Sequence, residues 1–222
     1  MTLGELISRF RSAANDKVKP YFWSDDELTQ WLNEAEAEAV VRGRLIHESS
    51  NQSMCMAEIE SGQSEYRLHS AMYEITSMAW HQDGQEFPSP ISLTSSEVMD
   101  SEYVNWRYRT GVPTHAIQND KSVRLIPTPS TAGFIRLEGY RLPKTKMEDM
   151  DDTPEINHAH HRHLVCWAMY IGFSIPDAEL FDQRRADIAK QEFDAYFGLQ
   201  VDSDMRRTTR HDVQHHVEPF WP

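Results

Sequence analysis

Apolar residues along the chain recur first at helical spacing, then alternate with polar ones, and finally return to helical spacing. Leu28, Trp31, Leu32, Ala35 and Ala39 form one apolar stripe with Glu34, Glu36 and Glu38 between them, which predicts an amphipathic helix from Ser24 to Arg44. Its start is marked on consecutive residues. Ser24 is the N-cap and Glu27, three positions on, completes a capping box, while Trp23 and Leu28 are placed as a hydrophobic staple. Asp25 and Asp26 put negative charge at the positive end of the helix dipole. A shorter helix over Thr2–Phe10 precedes it, with its own box from Thr2 to Glu5.

The middle of the chain reads as strands. Met54 to Glu60 and Gln63 to His69 open this region, and Tyr66 and Leu68 alternate with Glu65, Arg67 and His69 as in a half-buried strand. Tyr73 to Trp80 runs to a hairpin signal at Asp83-Gly84. Thr94-Ser95-Ser96-Glu97 caps a short helix that carries Val98, Tyr103, Val104 and Trp106 and ends before Gly111. Ala116 to Gln118 and Ser122 to Ile126 flank a second hairpin at Asn119-Asp120-Lys121, and Phe134 to Tyr140 is the last strand. Helical spacing then returns over Ile156 to Ile171, with Leu164, Val165, Trp167 and Ala168 on the apolar side. A last helix, capped by Asp177, carries Phe181, Ile188, Phe193, Tyr196 and Phe197. The two are expected to pair antiparallel and pack on the first two helices. The predicted fold is α+β: a helical bundle from residues 1–50 and 154–200, an inserted antiparallel β domain over 51–153, and an extended C-terminal arm over 201–222.

The arm loses all periodicity. It concentrates Arg206, Arg207 and Arg210 in an otherwise acidic chain and finishes with Phe220 and Trp221, residue types that anchor interfaces, so it reads as a docking arm that orders on binding. The formal net charge of −13 argues against a nucleic-acid-binding face, which needs clustered Lys and Arg. The hydrophobic share of 39% is below the usual roughly 45–50%, so either neighbours cover some surface or some of the chain is extended. No secretory leader, long apolar run or lipidation motif is present, and a soluble protein made in the cytoplasm is expected. Cys55 and Cys166 stand too far apart in sequence to suggest a zinc spacing or a disulfide framework. Gly-x-Gly-x-x-Gly, phosphate-loop, Gly-x-Ser-x-Gly and Cys-x-x-Cys motifs are missing.

One constellation resembles an active site. Glu155 and His158 have the Glu-x-x-His spacing of carboxylate di-iron bundles, and His158/His161 and His160/His163 are i, i+3 pairs able to share a metal. A metal-binding enzyme on a helical bundle, with His158 to His163 as its site, is therefore a second reading. Against it, the chain has no second Glu-x-x-His, and histidines at these offsets point to more than one side of a helix.

In order and spacing, these segments resemble the head-to-tail adaptor proteins of tailed bacteriophages. Those begin with a short helix, a "(W/P)SDDEL" helix start and a Trp-Leu/Ile-Asn-Glu/Asp-Ala run, here Trp23 to Leu28 and Trp31-Leu32-Asn33-Glu34-Ala35. Gly111-Val112-Pro113-Thr114-His115 is similar to a Gly-x-Pro-x-aromatic step, with His115 in place of the usual Tyr or Arg. Leu125-Ile126-Pro127-Thr128-Pro129 before Gly133 to Leu137 is similar to a "hydrophobic-x-Pro-x-Pro, then strand" signature. Arg141-Leu142-Pro143 and the acidic Asp151-Asp152-Thr153-Pro154-Glu155 extend the likeness to about residue 198. It implies a non-enzymatic virion protein of the neck or tail, without cofactor or membrane. It further implies a dodecameric ring beneath the portal protein, joined to a tail nozzle or tail-tube protein and to tail fibres, through which double-stranded DNA passes without specific binding. The long β insertion looks more like the adaptors of short-tailed phages, related to tail tubular protein A, than the smaller helical adaptors of long-tailed ones. On this reading Arg206, Arg207, Arg210, Phe220 and Trp221 dock on the portal, and Glu34, Glu36 and Glu38 line an acidic channel along which the duplex slides.

Overall fold

A computed structural model of the chain describes residues 1–82, 84, 86–176 and 180–200. In chain order its helices are α1 (Leu3–Ala14), α2 (Asp25–Gly43), α3 (Gln52–Cys55), α4 (Ser96–Glu102), α5 (His161–Ser174) and α6 (Gln183–Phe197), with a 3-10 turn at Trp106–Tyr108. The strands are β1 (His47–Glu48), β2 (Met56–Ile59), β3 (Glu65–Arg67), β4 (Met72–His81), β5 (Ser89–Leu93), β6 (Thr110–Gly111), β7 (His115–Gln118), β8 (Ser122–Ile126), β9 (Thr128–Pro129) and β10 (Gly133–Arg141). This is an α+β fold. Two compact units share it: one holds Met1–Ser49, Ser70–Glu74 and Gly139–Gln200, the other Ser50–His69 and Ile75–Glu138.

In the first unit both capping boxes form. Thr2 and Ser24 accept from the backbone N–H of Glu5 and Glu27 at 3.3 and 3.2 Å, and the two glutamates accept in return from the cap N–H groups at 3.0 and 2.8 Å. Asn15 and Arg44 stop α1 and α2 in the left-handed conformation. The α2 stripe is buried along its length, and α5 packs against α1, α2 and α6. Trp23 meets the rings of Phe10 and Phe173 edge-on at 5.2 and 5.5 Å. Gly172 admits this aromatic cluster: a Cβ there would lie 3.0 Å from the Trp31 ring.

Both later helices start after the expected positions. The N–H groups of Glu155 and Ile156 are taken by the Glu36 side chain and Asn157 caps a turn at Ala159, so α5 begins only at His161. The N-cap of α6 is Asp182, whose carboxylate accepts from Arg185 N at 3.1 Å. Phe181 precedes that helix and is 49% exposed, while Asp177 lies outside the described residues. Ala186, Ala189, Phe193 and Phe197 are the buried side of α6; Ile188 and Tyr196 fall on the other side of the 3.6-residue repeat and are exposed.

The second unit is built on a sheet in the order β10, β4, β5, β7, β8, β3, with β2 on the free side of β10. Burial alternates along β10 through Ile135 and Leu137, whereas β4 buries Met72, Ile75, Met78 and Trp80 at uneven spacing. The hairpin at Asn119 to Lys121 forms, with Ala116 opposite Leu125 and Gln118 opposite Val123. Most pairs are antiparallel. The β5 and β7 strands pair in parallel because a crossover through α4 joins them rather than a tight turn, and the short β6 and β9 also run parallel. The crossover helix stops at Glu102; Asn105 turns left-handed into the 3-10 turn, which buries Trp106 and leaves Val104 exposed. Gln52 to Cys55 is a helical turn rather than the start of a strand, capped by Asn51.

Candidate functional site

Two of the segments that carry the phage likeness, Trp23 to Leu28 and Trp31 to Ala35, lie on α2 and its start, where polar side chains hold the returning chain. Asn33 clamps Met147 in both directions: its Nδ2 donates to Met147 O at 2.9 Å and its Oδ1 accepts from Met147 N at 2.8 Å. One turn on, the buried Glu36 accepts from Glu155 N at 2.6 Å and from Ile156 N at 3.3 Å. Burial raises its pKa, against the pull of those two N–H donors. At the start of α2, Asp25 pairs with Arg11 at 2.5 Å, and the same guanidinium reaches Asp16 at 2.6 Å and Trp23 O at 3.0 Å, tying α1 to the helix start.

The three glutamates assigned to a channel occupy different environments. Glu36, 2% exposed, is an internal acceptor, so it has no free face to offer a lumen; a helical stripe cannot reveal that two backbone N–H groups close over one of its polar gaps. Glu34 is exposed and accepts from Trp167 Nε1 at 3.2 Å. Glu38 is half-buried and pairs with Arg42 at 3.0 Å, and Arg42 also binds Asp194 of α6 at 2.5 Å.

The Glu155 to His163 constellation is drawn apart by other partners. The Glu155 carboxylate is bound by Arg141, and one oxygen also accepts from Lys144 N at 2.9 Å. The Arg141 guanidinium holds its pKa below the usual carboxylate value. His161 is buried, with Nε2 2.9 Å from Ile156 O and Nδ1 2.9 Å from the amino group of Met1, and burial lowers its pKa. His160 reaches Tyr196 Oη at 3.2 Å, while His163 stacks on the Tyr196 ring. His158 is exposed. Among the described residues no three His, Cys, Asp or Glu side chains are grouped as a metal would require. Cys55 is buried and Cys166 half-buried, the latter pushed up to about 11 by burial and by Glu192.

Two features were not foreseen from the sequence. Arg141, 5% exposed, joins Glu155 to the buried Glu48 at 3.0 Å, and Lys144 Nζ reaches the same Glu48 oxygen at 3.0 Å. Along the exposed side of α2 lies a groove of about 620 Å³, with Asp26, Glu34 and Ala37 on the helix and Lys146, Glu148 and Met150 on the returning segment. The i, i+4 series of polar residues on α2 was the available signal for the groove; the ion network left none, its members being remote in sequence. The five docking residues, Arg206, Arg207, Arg210, Phe220 and Trp221, lie outside the described residues. No described helix is long and apolar enough to cross a membrane.

A search of curated proteins finds no match. The family model described as SU10 adaptor protein matches residues 1–214, nearly the whole chain. Membership in such a family implies a structural component of the phage virion that associates with portal and tail proteins, and a non-enzymatic role. The caps, the Asn33 clamp and the Glu36 acceptor thus give the adaptor-like order of motifs a physical basis, and the chain belongs to the SU10 adaptor protein family.

Proposed function

We propose that this chain is a head-to-tail adaptor that assembles as a dodecameric ring beneath the portal, joins it to the tail nozzle or tail-tube protein, and continues the DNA channel. The observation that carries the reading is the family match over residues 1–214, and the long β insertion favours an adaptor of the tail tubular protein A kind found in short-tailed phages. A ring needs heterologous contacts, so each subunit presents two different complementary faces to its neighbours. Tail fibres attach at the tail side. The exposed Glu34 and the half-buried Glu38 are the α2 carboxylates that face the duplex, which the acidic wall repels and so leaves free to slide. The arm over 201–222 docks on the portal, its three arginines meeting acidic surface and Phe220 and Trp221 filling apolar pockets. Ordering on contact restricts assembly to a completed portal.

Truncation after Gln200 tests this reading. The shortened chain should keep the circular dichroism spectrum and melting curve of the full chain yet fail to co-sediment with portal rings. Co-sedimentation equal to that of the full-length protein would refute the docking role of the arm.

A further inference from the structure

The groove on α2 is strongly biased in charge. Asp26, Glu34 and Glu148 outnumber Lys146, and Met150, 46% exposed, adds an apolar surface beside them. The carboxy-terminal part of the same helix lies beside the point where the described chain ends. Glu34, Glu38 and Arg42 are spaced four residues apart on α2, and Arg42 Nη1 lies 3.5 Å from the carbonyl oxygen of Gly198, just past the end of α6.

Reach and charge identify an occupant. From Arg42 back to Glu34 is eight residues of helix, about 12 Å, and back to Asp26 is sixteen residues, about 24 Å. From Gly198, Arg206 is eight residues on and Arg210 twelve, which spans up to about 26–43 Å of extended chain. The arm's three arginines can therefore lie along the whole groove without strain in the connection. The cation at this point, Arg42, is already engaged by Glu38 and Asp194. The long Arg stems would cover Met150 while their guanidinium groups meet the carboxylates.

We propose that the α2 groove is the docking site for the Arg206–Arg210 segment of the same chain. Occupying it masks the arm's cations on the acidic body of the subunit and keeps them from other anionic surfaces. The inference rests on charge and chain length and is independent of whether the arm also binds a portal.

The arm supplies its own probe, since trypsin cuts after arginine. In the full-length protein at low salt, cleavage after Arg206, Arg207 and Arg210 should be roughly tenfold slower than in a synthetic peptide of residues 201–222, as expected for a few surface ion pairs aided by tethering. The variant Asp26→Asn/Glu34→Gln/Glu148→Gln introduces no trypsin site and removes three negative charges. It should be cut at the peptide's rate while its melting curve stays close to wild type, and high salt should abolish the wild-type protection. Equal rates for wild type and variant would overturn the proposal. So would protection that disappears on dilution, which would place the arm on a second copy. Portal rings are absent from this assay, so its failure would not touch the adaptor reading.

Discussion

The buried carboxylate of Glu36 gives the sharpest test of how the helical unit is held together. Replacing it with alanine removes the acceptor for two backbone N–H groups, those of Glu155 and the buried Ile156. Leaving a buried donor without a partner costs about 1–3 kcal/mol, so a net loss of about 2–3 kcal/mol is expected once solvent access at Glu155 and the relief of a buried charge are counted. For a chain of this size that lowers the melting temperature by roughly 4–12 °C. Glu36→Gln keeps an oxygen acceptor and should stay within about 1 kcal/mol of wild type at neutral pH. The pair also predicts a pH dependence. Burial raises the Glu36 pKa above the unfolded value of 4.5, so the folded state favours the protonated acid. Its contribution is full below the unfolded pKa and is lost as pH rises through the folded one, whereas glutamine is blind to this window. Urea unfolding of wild type and Glu36→Gln at several pH values isolates the effect, because the other carboxylates cancel in the difference. Wild-type stability in Glu36→Ala, or a difference between wild type and Glu36→Gln that does not change with pH, would refute the argument.

Two further substitutions test other joints of the fold. Arg141→Met removes the guanidinium from the buried Glu48, which keeps Lys144, and from the exposed Glu155, and should cost about 1–3 kcal/mol in urea unfolding. Because Arg141 lowers the Glu155 pKa, the stability from that pair is present above the unfolded value of 4.5 and is lost as pH falls through the folded one, so the variant should have a flatter acid limb; an unchanged limb would remove Glu155 from the pair. Gly133→Ala would drive a Cβ into the His81 carbonyl oxygen and the Trp80 ring and should destabilise by about 1–3 kcal/mol or more, while Gly111→Ala, whose nearest neighbour is the Pro127 side chain at 3.8 Å, should change stability by less than about 0.5 kcal/mol; equal melting points for the two would contradict the packing at the start of β10.

Local interactions were legible in the sequence because their partners are a few residues apart. Ser24 and Glu27, Thr2 and Glu5, the α2 stripe and the Asn119 hairpin each close within one turn, and they form as written. The likeness to phage adaptors was legible for the same reason: its motifs are caps, turns and strands, repeated in order along one chain. The docking residues of the arm lie outside the described residues, so their role rests on the sequence alone.

Tertiary structure decided which polar residue faces water. A helical repeat marks Glu34, Glu36 and Glu38 alike as gaps in an apolar stripe, yet Glu36 is buried because residues 155 and 156 bring it two N–H groups from across the fold. That same contact delays the start of α5, and the Asp182 cap displaces the start of α6 past Phe181. The Glu48, Arg141 and Glu155 network joins positions up to 107 residues apart, a separation over which no periodicity carries information. By itself the sequence determined where α1, α2 and the Asn119 hairpin begin and which residues prefer to be buried, since capping and amphipathic spacing act within a turn. Only the tertiary structure decided which charges are enclosed, because enclosing a charge requires a partner that the folded chain brings from a distance.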